Sequence, residues 1–143
     1  YAPWTVTVAC VHVMAQLPVP VVLDHFALWP DATCTSDEAI RVLGLLAQGQ
    51  IYIKLSGSYR SPLKDAQALV ILSQRLLATR PDRLLWASDW PHTNREPGRS
   101  PHEVSRYRDI NADTLRHERG QWLPTAAVQQ QVLVDNPQQL YRF

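Results

Sequence analysis

Cysteine is scarce in this sequence: Cys10 and Cys34 are the two in 143 residues. Their spacing fits neither the paired cysteines of a zinc site nor the disulfide framework of a small secreted domain. We therefore expect a reducing compartment, the cytoplasm, in which both thiols act as ordinary small core residues.

Long apolar runs are also lacking, although 45% of the residues are hydrophobic. No stretch reaches the ~20 residues that a membrane-spanning helix needs. Residues 1–17 lack the basic start of a signal peptide. We expect no membrane association. The chain begins at Tyr1 without an initiator methionine, so a processed, truncated or partial product is one interpretation.

The charge balance gives no sign of a polyanion partner. The formal net charge is +1, from 14 basic and 13 acidic side chains. Arginines between residues 95 and 119 are interleaved with acidic residues, which is typical of a solvated surface rather than a nucleic-acid interface. The size and apolar content predict a single domain over residues 1–143.

Short apolar stretches predict the strands. Runs at residues 19–25, 51–55 and 84–88 have the pattern of strands that are buried on both faces. The period-two alternation at Trp4–Val8 allows a fourth strand. Predicted helices separate the three clear strands, and this alternation predicts an α/β fold with a parallel sheet and right-handed crossovers.

Two helices are predicted between these strands. The first begins at Thr35–Glu38, a capping box with a hydroxyl and a carboxylate at its two ends, and it ends at Gly49. The second begins at Ser61, with proline at the favoured first helical position, and it ends at Arg80.

The C-terminal third is helical by pattern. Ser100–Glu103 is a second capping box with proline at the first helical position. Thr125 is placed to cap a helix that runs through Val134, and a short terminal helix follows. Asp135 and Asn136 are interpreted as capping residues of that last helix.

Ionisable side chains follow the three clear strands. Asp24 and His25 end the first, Arg60 lies in the polar loop after the second, and Asp89 ends the third just before Pro91 stops the ladder. Ligands of parallel α/β sheets bind at this edge, which makes Asp89 a candidate catalytic carboxylate. Alternatively, Asp89 only caps the following turn and His25 is a structural histidine.

Four motifs around these strand ends occur in a recognisable order. They are Val21–Phe26, Ile53–Arg60, Leu85–Thr93 and Val134–Tyr141. Together they resemble the C-terminal part of the amidohydrolase-related TIM-barrel hydrolases, in the branch that contains 2-pyrone-4,6-dicarboxylate lactonase and sugar-lactone hydrolases. The resemblance implies the C-terminal part of a (β/α)8 TIM barrel, an incomplete barrel of about three to four parallel strands with helices.

The same resemblance implies a set of site residues. In that family the sixth barrel strand ends in a histidine, matched by His25, and the eighth ends in the catalytic aspartate, matched by Asp89. An arginine after the seventh strand, matched by Arg60, binds a substrate carboxylate or polarised oxygen, for which the planar guanidinium is suited. Tyr59 and His92 are assigned to substrate binding with it, although His92 has loop stabilisation as its alternative.

The activity implied is hydrolysis of a lactone, a cyclic carboxylic ester, by a water that Asp89 activates. We therefore expect a small-molecule lactone or cyclic ester as substrate, with His25 bonding its carbonyl or ligating a metal. The expected cofactor is none, or alternatively one divalent ion, zinc or manganese, held by His25 and Asp89. The rival hypothesis is a catalytically incomplete half-barrel that acts as an interaction or structural chain.

The chain departs from the family pattern in ways that affect these expectations. A full barrel has eight strands in about 250 residues. The family's His-x-His motif has no counterpart in residues 1–17, where His12 stands alone, which counts against a metal. The arginine that dicarboxylate-specific relatives carry after His25 is also missing, which counts against a dicarboxylate substrate. Open sheet edges predict self-association or a partner chain that covers them.

Overall fold

The computed structural model describes residues 1–96, 98, 100 and 102–143. No helix in this described part combines the length and the apolar content needed to cross a membrane. The helices are α1 Trp4–Ala9, α2 Val11–Gln16, α3 Asp37–Gln48, α4 Ala66–Thr79, α5 Ala112–Trp122, α6 Ala126–Gln130 and α7 Asn136–Tyr141.

The sheet is parallel and, in the described residues, has three strands in the order β1-β2-β3. Long helices connect the strands, so the predicted α/β fold with parallel crossovers is confirmed. The first and third strands are shorter than their apolar runs. The strands are β1 Val21–Leu23, β2 Ile51–Leu55 and β3 Leu84–Trp86.

The core lies between the sheet and helices α3 and α4. Alternate residues of β2, namely Ile51, Ile53 and Leu55, are fully buried against Leu46 of α3 and Leu72 of α4. Burying each such side chain stabilises the fold by about 1.5–3 kcal/mol. The core therefore holds the central strand on one face, and the loop after this strand lies between the residues that follow the two outer strands.

Helix α3 shows how the sequence sets its own boundaries. The Ser36 hydroxyl accepts a hydrogen bond from the backbone N–H of Ala39, and Gly49 ends the helix with a left-handed φ of 81°. The capping residue is thus Ser36, one position later than the predicted Thr35. The Thr35 hydroxyl lies instead within 3.1 Å of the Thr33 hydroxyl.

The predicted strand at Trp4–Val8 is wrong, because these residues form helix α1. Its first turn closes when the backbone N–H groups of Val6 and Thr7 donate to the carbonyl of Pro3. The Trp4 ring packs against the ring of Trp29 with centroids 4.7 Å apart. Tertiary packing of this kind overrides the β preference of the branched residues.

The start of α4 was also predicted too early. Asp65 is the N-cap, since its carboxylate accepts from the backbone N–H of Gln67. Ser61 is fully buried and accepts from the N–H of Leu63, so it closes a local turn instead of starting a helix.

The C-terminal helices pack back onto the start of β3. Thr125 caps α6 as predicted, accepting from the N–H of Val128. Asn136 is not a capping residue, however: it is 2% exposed and donates to the carbonyls of Pro81 and Leu84 at 2.8 and 2.7 Å. Its amide therefore fastens the terminal helix to the sheet. The Asp135 carboxylate accepts from the Gln130 side chain.

The second predicted capping box does not begin a helix in the described residues 102–111. Half of its bonding is present, since the Ser100 N–H donates to the Glu103 carboxylate at 2.6 Å. Pro101, the predicted first helical residue, lies outside the described residues. Helix α5 begins later, where the Asn111 side chain accepts from the N–H of Asp113.

Candidate active site

The chain bends through left-handed backbone conformations at the C-terminal end of every strand in the described sheet. The segment His25–Leu28 has φ values of 50–54°, Gly57 has 54° and Asp89 has 63°. Such a conformation costs a residue other than glycine about 1–2 kcal/mol. Strained residues of this kind cluster at functional sites, where the surrounding packing holds them in place.

These bends bring His25 and Asp89 together. The Nε2 atom of His25 lies 3.7 Å from Oδ1 of Asp89, and the two side chains are 10% and 16% exposed. The other ring nitrogen, Nδ1, is 3.0 Å from the hydroxyl of Ser56, which follows the central strand. The two predicted catalytic residues thus face one another from the ends of the two outer strands, across the end of β2.

In the described residues, the hydrogen bonds to the Asp89 carboxylate all reach one of its two oxygens. Its Oδ2 atom accepts a hydrogen bond from the Tyr59 hydroxyl at 2.6 Å and another from Nε of Arg60. The Nη2 atom of Arg60 donates to the backbone oxygen and hydroxyl of Thr93, each at 2.9 Å. Oδ2 is therefore held in place by two hydrogen bonds, while Oδ1 faces His25.

The electrostatics favour an ionised aspartate beside a neutral imidazole. Burial raises the pKa of Asp89, but the hydrogen bonds from Tyr59 and Arg60, together with the nearby positive charge, outweigh it and hold that pKa below its ordinary value. Burial lowers the pKa of His25 by more than the nearby carboxylates of Asp89 and Asp24 raise it. At neutral pH the carboxylate is consequently available as a proton acceptor.

Tyr59 contacts Asp89 on the Oδ2 side of the carboxylate, and His92 contacts Tyr59 in turn. Burial and the bond to Asp89 raise the pKa of the Tyr59 phenol to about 12, so it stays a donor. Its oxygen is also 3.2 Å from Nδ1 of His92, and Arg108 covers its ring at 5.0 Å. Both predicted substrate-binding residues, like Arg60, are here bonded within the protein, and their contact with substrate stays a prediction.

Gly57 is a site residue that the sequence reasoning did not single out. A Cβ atom at this position would lie 2.9 Å from Nδ1 of His25 and 3.2 Å from Oδ2 of Asp89. Combined with its positive φ, this crowding leaves glycine as the residue that fits. A Ser-Gly pair directly after a buried strand was the available signal.

A pocket of about 270 Å³ opens in front of the His25–Asp89 pair. Lys54 reaches it from the inner face of β2 and forms an ion pair with Asp24, with Nζ 2.6 Å from Oδ1. A lysine within an apolar strand was the signal that sequence reasoning passed over. The lining residues are Asp24, His25, Lys54, Ser56, Ala87, Ser88, Asp89 and Trp90.

The donor atoms of this pocket do not make up a metal site by themselves. His25 Nε2 and Asp89 Oδ1 face one another, but the described residues contain no group of three or more histidine, cysteine, aspartate or glutamate side chains with metal-binding geometry. A catalytic zinc ion takes about three protein ligands. His25 and Asp89 would therefore need further ligands from water or from residues outside the described part.

A parallel sheet packed against helices, with a carboxylate and a histidine at its C-terminal edge, has the arrangement of part of a TIM barrel. The barrel assignment is confirmed by solved structures of the same fold. A protein from Agrobacterium tumefaciens, solved in its apo form, has a TM-score of 0.77 at 23% identity, covering 99% of this chain and 48% of its own. An amidohydrolase from Burkholderia multivorans with bound zinc has a TM-score of 0.69 at 18% identity, covering 99% and 51%.

The family follows from the sequence comparison. The family model described as Amidohydrolase matches residues 2–143, and the chain belongs to this family. It is 33% identical to the 2-pyrone-4,6-dicarboxylate hydrolase of Comamonas testosteroni over 87% of this chain and 42% of that protein. It is 30% identical to the 4-sulfomuconolactone hydrolase of Rhizobium radiobacter over 90% of this chain and 41% of that protein. The chain therefore spans about two fifths of the length of these curated relatives, as their C-terminal part.

Proposed function

We propose that the protein hydrolyses a lactone, with Asp89 as the base that activates the attacking water. The observation that carries this proposal is the asymmetric bonding of Asp89. Oδ2 is held by Tyr59 and Arg60, while Oδ1 faces His25 at the edge of the pocket. The names of the two curated relatives, both hydrolases and one of them of a lactone, support this choice of substrate class.

The proposed steps follow from the charges in the pocket. Oδ1 of Asp89 takes a proton from water while the water oxygen attacks the lactone carbonyl. His25, hydrogen-bonded through Nδ1 to Ser56, presents Nε2 to the substrate oxygen. The ring C–O bond then breaks and the alkoxide receives the proton from Asp89. The new carboxylic acid gives its own proton to solvent, and a hydroxycarboxylate leaves. Arg60 keeps the base ionised and correctly oriented.

The proposal is tested with Asp89→Asn on a panel of γ- and δ-lactones. Removing a general base lowers turnover by about 10²–10⁴-fold. Asp113→Asn is the matched control, because Asp113 is an exposed residue of α5 that pairs with Arg116. Circular dichroism must show both variants folded. If the wild type and Asp89→Asn hydrolyse the lactones at the same background rate, the proposal is contradicted.

One divalent ion, zinc or manganese, is the alternative cofactor, and the zinc in one structural neighbour supports it. The test is dialysis of the protein against a chelator before the lactone assay. A metal-dependent reaction is lost and returns when zinc or manganese is added, whereas the reaction described above keeps its rate.

A non-catalytic role is the second candidate, and the edge of the sheet favours it. Strand β1 ends the described sheet, and Val13 and Val19 nearby are 57% and 60% exposed. Apolar residues beside an open strand edge favour self-association or a covering partner chain. Light scattering during size-exclusion chromatography tests this, and Val19→Lys should shift a self-associated species toward the monomer. The proposed cytoplasmic location is tested by cell fractionation.

A further inference from the structure

Lys54 is the cation that the proposed mechanism leaves unused. It lies on the inner face of the central strand, and its ammonium group reaches the same pocket as His25 and Asp89. The side chain is 26% exposed, so it is neither a core residue nor a fully solvated one. A lysine placed in this way carries charge into the space where a substrate would bind.

Arg60 is engaged elsewhere. Its Nε donates to Asp89 and its Nη2 donates twice to Thr93. It contributes to a different hollow, next to Trp4 and Pro62, and not to the lining in front of Asp89. Among the described residues that line the pocket, the full positive charge therefore comes from Lys54.

The contacts of Lys54 leave it able to bind a ligand. An ammonium group has three N–H donors. The ion pair with Oδ1 of Asp24 uses one of them and fixes the side chain over the pocket floor. The remaining donors can meet an oxygen that carries negative charge, without breaking the pair with Asp24.

We infer that Lys54 contacts the substrate and stabilises the negative charge that forms on its carboxyl group. The inference rests on the proposed lactone hydrolysis, in which a neutral ester carbonyl becomes first an oxyanion and then a carboxylate. Preorganised cations aimed at such charge are among the largest contributions to catalysis. Asp24 acts as the positioning residue that orients Lys54.

The inference makes predictions of opposite sign for the two partners. Lys54→Met removes the cation and leaves Asp24 facing the pocket, so anionic ligands bind more weakly. Asp24→Asn keeps the cation and removes the competing anion, so the same ligands bind more tightly. A merely structural ion pair predicts instead that both substitutions destabilise the fold and neither changes anion affinity in these directions.

The experiment measures equilibrium binding, which does not depend on turnover. The probes are 4-hydroxybutyrate, an anionic product, and γ-butyrolactone, its neutral counterpart, titrated into the wild type and each variant by NMR. Loss of a charge-assisted hydrogen bond predicts about tenfold weaker binding of 4-hydroxybutyrate to Lys54→Met, with little change for γ-butyrolactone. Lys64→Met is the matched control, because this lysine donates to the Ser61 carbonyl away from the pocket.

The outcomes separate this inference from the proposed function. If 4-hydroxybutyrate binding depends on Lys54 but the protein turns over no lactone, the contact between Lys54 and the ligand is supported and the proposed hydrolase activity is contradicted. Turnover that needs Asp89, with equal 4-hydroxybutyrate affinity in the wild type and Lys54→Met, overturns the inference alone. Absence of saturable binding to the wild type, or weaker binding by Asp24→Asn, overturns it as well.

Discussion

Replacing Gly57 with alanine tests whether the bend after the central strand is what holds the site together. The new Cβ would lie 2.9 Å from Nδ1 of His25 and 3.2 Å from Oδ2 of Asp89. Real Cβ atoms essentially never approach another atom to 2.9 Å, and a contact of 3.2 Å is tighter than most. The histidine, the aspartate or the loop must therefore move, and the face-to-face arrangement of His25 and Asp89 is lost.

The expected loss of stability has two parts. An alanine at a φ of 54° costs about 1–2 kcal/mol. Overpacking against two partly buried side chains adds about 1–3 kcal/mol. The lower entropy of the unfolded chain returns about 0.4–1 kcal/mol. Gly57→Ala should therefore lower the free energy of unfolding by about 1–5 kcal/mol.

Two other glycines separate strain from crowding. Gly98 has a φ of 81° and Gly120 lies in helix α5, and an added Cβ at either meets nothing within 4 Å. Gly98→Ala should show the strain cost alone, and Gly120→Ala should stabilise the helix by about 0.5–1 kcal/mol. Urea unfolding measures all three variants, and lactone turnover should fall in Gly57→Ala alone. A Gly57→Ala protein as stable as Gly98→Ala would refute the crowding argument.

Three further predictions concern the parts of the fold that carry the site. Asn136→Ala should lower the free energy of unfolding in urea by about 2–3 kcal/mol, because two buried carbonyls lose their donor. Ser36→Ala should cost about 1 kcal/mol in the same assay, and Thr35→Ala clearly less, because Ser36 is the observed cap. Iodoacetamide should label Cys10 in the native protein but Cys34 only after unfolding. Cys34 is 1% exposed, and burial raises its pKa to about 11. Mass spectrometry of the labelled peptides measures this, and labelling of Cys34 in the native protein would contradict the prediction.

The strands of this fold were predictable because their signal is local. Residues 51–55 form an uninterrupted β2, since a short apolar run between a helix-ending glycine and a polar loop has few other structures open to it. Trp4–Val8 is richer in β-branched residues than β2 yet is helical, because Trp4 packs on Trp29 in a way that only the tertiary fold specifies. Pattern alone does not contain that contact.

The site was predictable to the level of which side chains meet. His25 and Asp89 follow the two parallel strands that flank β2, so both lie at the C-terminal edge of one sheet. The hydrogen bonds that orient them were not predictable, because they depend on consecutive left-handed residues after the strands. Side-chain direction changes completely when such a residue is placed one position earlier or later. The bond from Tyr59 to Asp89 and that of Ser56 with His25 are results of this geometry.

The central strand and its loop determine the charge on both neighbouring strand ends. Lys54 pairs with Asp24 after β1, and Arg60 pairs with Asp89 after β3. Each pairing lowers the pKa of its carboxyl group against the effect of burial, so both aspartates stay ionised in the pocket. The cations differ in what they leave free: Arg60 is spent on Asp89 and Thr93, and Lys54 is not. The strand and its loop thus hold the carboxylate of Asp89 on one side and a positive charge with free donors on the other, which is the combination that the proposed opening of a lactone ring requires.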